Sequence, residues 1–316
     1  MARKESFIEN VVNLAHVQGY HHCDHMGNYA FQGFASNKYF TSDRYEKLDE
    51  HFNRTGENAG KPLKGYGLEI ETACNSVISD DVYAEILMKI VFQYFPDDLF
   101  KLQRDASLSG RSTAECITQV MTRQFIRNNY RNFKTMYDVY FPAIGASCNA
   151  SCGMHVNISN ANFGDKPATQ ELAIRKFYYI VNKHYDLCVR LFARNPDRTG
   201  YCSRMNPNVA RTMDLSHQYS DHGVSFNLGH YREGRIELRL VGGQRSYGCF
   251  RNTMESVFFL VDRVKKLSWA DCDNLATIFS GCNQYVYDRL NTKCRDYIST
   301  DALNTIHENM KTEVLL

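Results

Sequence analysis

No apolar run in this 316-residue chain approaches the roughly 20 residues that a membrane-spanning helix requires. The opening MARKESFIENVVNLAH reads as a short amphipathic helix and lacks the apolar core of a secretory leader. An excess of one charge is missing too. The 37 Lys and Arg residues nearly cancel 35 Asp and Glu, for a formal net charge of +2, and no long basic block occurs. Such a chain has no electrostatic footprint for a polyanion, so neither nucleic acid nor a membrane is expected as a partner. A soluble, cytoplasmic protein is expected. Internal repeats and Pro/Gly/Ser-rich linkers are absent as well. The expected organisation is a polar, Gly- and Asn-punctuated N-terminal extension over 1–63, followed by a single domain over 64–316. No G-x-x-x-x-G-K-S/T loop, no G-x-G-x-x-G after a strand and no G-x-S-x-G elbow is found, which removes P-loop, Rossmann and α/β-hydrolase chemistry from consideration.

What is present suffices for a sizeable core: 43% of residues are hydrophobic and 13% aromatic. The eleven cysteines are scattered, several in apolar contexts, and are expected to be mostly free thiols packing as small hydrophobes. His16, His21, His22, Cys23 and His25 crowd one N-terminal stretch, but without a paired C-x-x-C or H-x-x-x-H frame a polar surface loop is the commoner explanation than zinc. Cys148 and Cys152 precede His155 at a spacing that resembles zinc ligation or a Cys–His nucleophilic pair, which the strand reading of His155 below argues against.

Helical periodicity marks 81–95, 166–194 (with Pro167 suited to a first turn) and about 250–267. Strand-like runs fall at 65–72, 114–120, 153–159, 223–229 and 235–241, bounded late in the chain by glycine-containing loops. This order predicts an α+β fold, an antiparallel sheet with helices covering one face.

Three of the strands share a pattern. Side chains alternate in an extended chain, so in KGYGLEIET the residues Tyr66, Leu68 and Ile70 form one row and Gly67, Glu69 and Glu71 the other. In GMHVNIS the rows are Met154, Val156 and Ile158 against His155, Asn157 and Ser159. In GRIELRLV they are Ile236, Leu238 and Leu240 against Arg235, Glu237 and Arg239. Any one such polar row is most often a solvated face, and R-x-E-x-R most often makes cross-strand ion pairs. All three together suggest one functional face. Clustered carboxylates repel unless a cation lies between them, and carboxylates with one imidazole suit Mg²⁺ or Mn²⁺. Arginines cannot ligate a metal but hold phosphate oxygens, so the combination points to a phosphoryl substrate.

The ordered set GYGLEIET, RDASLSG with AECIT, CGMHVNIS, RTGYC, VSFNL and GRIELRLVGG, spanning about 65–265, resembles the amidoligase family of the glutamine synthetase and glutamate–cysteine ligase superfamily of carboxylate–amine ligases. The resemblance implies a glutamine-synthetase-like antiparallel sheet whose concave face holds ATP and two or three Mg²⁺ (or Mn²⁺) ions. By motif, Glu69, Glu71, Glu115, His155 and Glu237 would be metal ligands, and Asn157 and Ser159 would lie on the nucleotide side. Arg239 would stabilise transferred phosphate, with Arg235 a second phosphate contact. Asp105 and Ser107 match a substrate-facing Asp-x-Ser turn, and Arg198 and Tyr201 a looser substrate-side segment. The activity implied is ATP-dependent amide or peptide-bond formation through an acyl phosphate, joining a carboxylate to an amine carried by a small molecule, peptide or protein. The alternatives are a guanidino-kinase-like phosphotransferase of the same architecture and a non-catalytic binding or assembly protein that keeps the fold.

Overall fold

The long apolar row of the first strand is fully realised: in β1, Gly65–Cys74, the side chains of Tyr66, Leu68 and Ile70 are at most 1% exposed. The computed structural model describes residues 64–75, 80–87, 91–95, 99–103, 108–118, 120–218 and 223–313. The expected extension over 1–63, with its histidine cluster, and the candidate turn residues Asp105 and Ser107 lie outside the described residues.

The architecture is α+β, mixing helices with antiparallel strands, and it divides into two compact units. Among the described residues, the first unit comprises Tyr66–His155 and Gly243–Tyr247; the second comprises Lys64, Gly65, Val156–Gly242 and everything from Gly248 onward. In the first unit β2 (Phe100–Gln103) pairs with β3 (Ser112–Thr118), and β3 pairs antiparallel with β1 in a register that sets Glu71 opposite Glu115. Two short strands, β4 (Met121–Thr122) and β5 (Ala146–Ser147), also pair with β1. The division falls inside β6 (Met154–Ser159), whose first two residues belong to the first unit. In the second unit β6 pairs antiparallel with β8 (Arg235–Leu238), and β8 with β7 (Phe226–Asn227). Asn157 therefore stands opposite Glu237, and Ser159 opposite Arg235.

The helix expected over 81–95 begins as α1, Asp80–Ile86; Leu87 and Val91 are helical as well, and the Phe92 amide donates to the Leu87 carbonyl at 3.0 Å. Among its described residues only 92–95 leave the helix: Phe92 stacks on Phe100 with ring centroids 3.9 Å apart, and Phe95 packs edge-on against the same ring. Short helices α2 (Arg123–Asn128) and α3 (Tyr130–Thr135) follow, the first capped by the Thr122 hydroxyl accepting from the Phe125 amide. In the second unit α4 (Pro167–Lys183) and α5 (Tyr185–Leu191) fill the stretch predicted helical, with Pro167 in the first turn, where its missing N–H costs nothing. The helix α6 (Tyr247–Val264) starts three residues earlier than predicted. It buries Phe250, Met254, Val257, Phe258, Val261 and Val264, one helical stripe. Three helices beyond the predicted ones complete the unit: α7 (Leu275–Phe279), α8 (Gln284–Lys293) and α9 (Thr300–Glu313).

The late strands are shorter than the runs 223–229 and 235–241. The Ser225 carbonyl accepts from both the Arg239 and Leu240 amides (3.0 and 3.2 Å), which interrupts the regular ladder after Leu238. Just beyond, a Cβ on Gly242 would lie 2.3 Å from the Ala193 carbonyl oxygen, so the close pass of these two backbones requires glycine.

All ten cysteines among the described residues are free, as expected, and nine of them are buried. Among the described residues no helix is long and apolar enough to cross a membrane.

Candidate functional site

In the first unit three strands bring acidic and imidazole groups together. β1 contributes Glu69 and Glu71, β3 contributes Glu115 across from Glu71, and the start of β6 contributes His155. Ligand atoms of Glu69, Glu115 and His155 all lie within 4.8 Å of one another. His155 has carboxylates at both ring nitrogens, Nδ1 at 3.0 Å from Glu69 Oε2 and Nε2 at 3.5 Å from Glu71 Oε1. The polar row of β1 is thus no solvated face. Glu71 and His155 are each only 7% exposed, and Glu69 is partly buried.

Glu71 is held from the backbone. Its amide donates to the Gly153 carbonyl at 3.2 Å, and the Gly153 amide donates back to the Glu71 carboxylate. This fixes the entry of β6 beside β1 and aims His155 between the two glutamates. Counted by themselves, the three carboxylates outnumber the one imidazole, protonated or not. Unit charges 4.8 Å apart interact by about 3 to 4 kcal/mol at an effective dielectric near 20. The donor set, oxygen-rich with one nitrogen, fits a hard divalent cation such as Mg²⁺ or Mn²⁺, and the donors are close enough together to share one ion.

The second unit gathers the arginine strand differently. Glu237, 3% exposed, accepts from Arg239 Nη1 on Oε1 and from Asn227 Nδ2 at 2.8 Å on Oε2. Arg235 donates to the Asn157 side-chain oxygen. Arg235 and Arg239 are 6% and 9% exposed, so two guanidinium groups are held largely out of solvent. The Ser159 hydroxyl accepts from the Ala161 amide at 3.3 Å and caps the short turn Asn160–Phe163.

Of the looser candidates, Tyr201 is 70% exposed, and Arg198 ends the short helical turn Pro196–Arg198, which is capped by the Asn195 side chain. Cys148 and Cys152 are buried free thiols, and burial pushes the Cys148 thiol well above its ordinary range. A thiol kept neutral by burial is not an activated nucleophile.

One contributing residue, Asn227, was not singled out from sequence. The signal existed: VSFNL alternates Val224, Phe226 and Leu228 with Ser225 and Asn227, the same two-row pattern as the other three strands, and Phe226 is fully buried. Gly153 could not have been found that way, because its contribution is a backbone amide.

A scan against protein-family models gives no match, and no curated protein matches the chain in a sequence search.

Proposed function

We propose that the chain is a cytoplasmic ATP- and Mg²⁺-dependent carboxylate–amine ligase that activates a carboxylate as an acyl phosphate and passes it to an amine. The observation that carries the proposal is the convergence of Glu69, Glu115 and His155 donor atoms within 4.8 Å, with Glu71 on the second nitrogen of the imidazole. Glu69, Glu71, Glu115 and His155 would hold the divalent ion, which supplies charge neutralisation for phosphate oxygens. Arg235 and Arg239 would take phosphate oxygens, the planar fork of a guanidinium matching two oxygens at once. Glu237 and Asn157 position those forks. A carboxylate oxygen leaves poorly and a phosphate leaves well, so preorganised positive charge at the phosphate is what both half-reactions demand. A glutamine-synthetase-like sheet with the site on its concave face, and two or three bound ions, belong to the same proposal.

The test follows the oxygen. With a carboxylate substrate labelled with heavy oxygen, attack of the amine on the acyl phosphate must send one label into inorganic phosphate. Labelled phosphate together with amide supports the ligase. Amide without labelled phosphate overturns the acyl-phosphate route, and a phosphorylated product that accumulates without amide identifies a phosphotransferase.

A further inference from the structure

The first unit contains a cavity of about 470 Å³ that none of the groups above fill. Its wall comes from three separated segments: Tyr137, Phe141 and Pro142; the loop Ala146–Ala150 around β5; and Gln244 with Arg245. The third segment arrives from about a hundred residues away and is pinned at both ends. The Gly243 amide donates to the Cys152 carbonyl at 3.0 Å, and the Tyr247 amide to Asp138 at 3.0 Å. A Cβ at Gly243 would lie 2.8 and 3.0 Å from the Cβ atoms of Cys148 and Cys152, so only glycine lets Gln244 and Arg245 approach this closely.

The loop on the opposite wall is equally built. Asn149 accepts from the Ser151 amide (2.8 Å) and hydroxyl (2.6 Å) and donates to the Ser109 carbonyl (2.6 Å), while the Ser109 amide donates to Ser151 (2.9 Å). Asn149 therefore spends its side chain on fixing the rim. The same loop leads within three residues from Ala150 to Gly153 and so into the carboxylate cluster.

The chemistry of the lining is lopsided. Tyr137, Phe141, Pro142, Ala146 and Ala150 give an apolar body, Gln244 and Ser147 give polar groups, and Arg245, exposed, is the one ionised side chain among the described lining residues. No carboxylate is among them. Burial keeps the Cys148 thiol neutral, so the lining carries a single positive charge.

We propose that this cavity is an organic-acid subsite: Arg245 at the rim takes the carboxylate, and the wall of Tyr137, Phe141 and Pro142 takes an aliphatic or aromatic body. A volume in the range of ligand pockets, an apolar wall and one convergent cation are the features of a small-molecule site. Naming the bound acid as the carboxylate substrate rests on the proposed ligase; binding of the acid does not.

The test uses the full chain with neither metal nor nucleotide, and three acids as probes: N-acetylglycine, 3-phenylpropionate and N-acetylphenylalanine, each beside its neutral amide. Binding is read by saturation-transfer NMR and titration calorimetry. At least one acid with an aromatic body should bind ten times or more tighter than its amide. Arg245→Glu should lower that affinity tenfold or more, and Ala150→Trp, which fills the cavity, should abolish it, with the melting temperature of Arg245→Glu unchanged. Absence of binding by all three acids, equal binding of acid and amide, or binding indifferent to both variants overturns the proposal. Because nucleotide and metal are left out, these outcomes stand apart from the oxygen-label experiment, which decides the ligase.

Discussion

Replacing Glu115 by Gln separates a metal centre from a structural ion pair. Glu115 stands opposite Glu71 in the β1–β3 register and shares a 4.8 Å cluster with Glu69 and His155. Like charges directly opposite on antiparallel strands are destabilising. The Coulomb cost of about 3 to 4 kcal/mol per pair at that separation falls to about 1 kcal/mol once partial exposure and salt are allowed for. Without metal, Glu115→Gln should therefore be as stable as the parent or about 1 kcal/mol more stable. With Mn²⁺ at about a hundred times its dissociation constant, the parent should gain about 2.7 kcal/mol. At about 2 to 4 °C per kcal/mol, that is a rise of roughly 5 to 10 °C in melting temperature. The variant, lacking one anionic ligand, should keep only a degree or two of it. Scanning calorimetry of both proteins, dialysed against chelator and then with added Mn²⁺, reads all four values. If Glu115→Gln melts lower than the parent without metal by the equivalent of 1 kcal/mol or more, Glu115 is a structural partner of His155. If instead the Mn²⁺ shift survives intact, the ion binds elsewhere. Either result refutes the metal assignment.

Asn227→Ala removes the 2.8 Å donor to Glu237 Oε2 from a buried carboxylate; urea unfolding should show a loss of about 2 kcal/mol, and an unmoved midpoint would mean that the Asn227 contact is idle. Alkaline pH should destabilise the second unit. Burial pushes the thiols of Cys272 and Cys294 up to about 11 and about 12 and the Tyr178 hydroxyl up to about 12, and a hydrogen bond to Asp273 does the same for Tyr179. The folded state holds these protons more tightly than the unfolded chain, so the stability they confer is complete below about pH 9 and is lost as pH rises through 11 to 12. A urea midpoint that stays flat from pH 8 to 11 would contradict this.

The strands β1, β6 and β8 were legible because a period of two leaves a signature in four residues, and one of their two rows is wholly apolar. The alternation could not reveal that the polar row of β1 is buried as well. That depends on Gly153 and His155, which arrive from 80 residues further along the chain. The helix over 81–95 was legible except at its end: Leu87 and Val91 are still helical, but Phe92 and Phe95, apolar residues equally suited to an aromatic cluster, pack on Phe100, whose position no local pattern contains. Helices α7 and α8 are too short for periodicity to stand out, yet each begins at an asparagine, Asn274 and Asn283, whose side chain accepts from the amide three residues on. An N-cap reading alone could have placed both. The segment Gly243–Tyr247 carries no local sign that it joins the first unit, because its anchors, Cys152 and Asp138, are about a hundred residues away.

The two units treat their buried carboxylates in different ways, and the difference bears on which groups need a cation. In the second unit each oxygen of Glu237 already has a donor, one of them cationic, so the arrangement is neutral within itself. In the first unit the carboxylates of Glu69 and Glu71 stand at the two nitrogens of a single imidazole with Glu115 beside them, and the Gly153 amide that donates to Glu71 adds no charge. Had selection acted only on stability, a glutamine at any of these three positions would keep a hydrogen bond and shed the repulsion, since like charges that cannot be neutralised cost more than they return. On the proposed reading, their joint presence on partly or wholly buried strand positions would be accounted for by a compact divalent ion that takes oxygen donors and repays the cost.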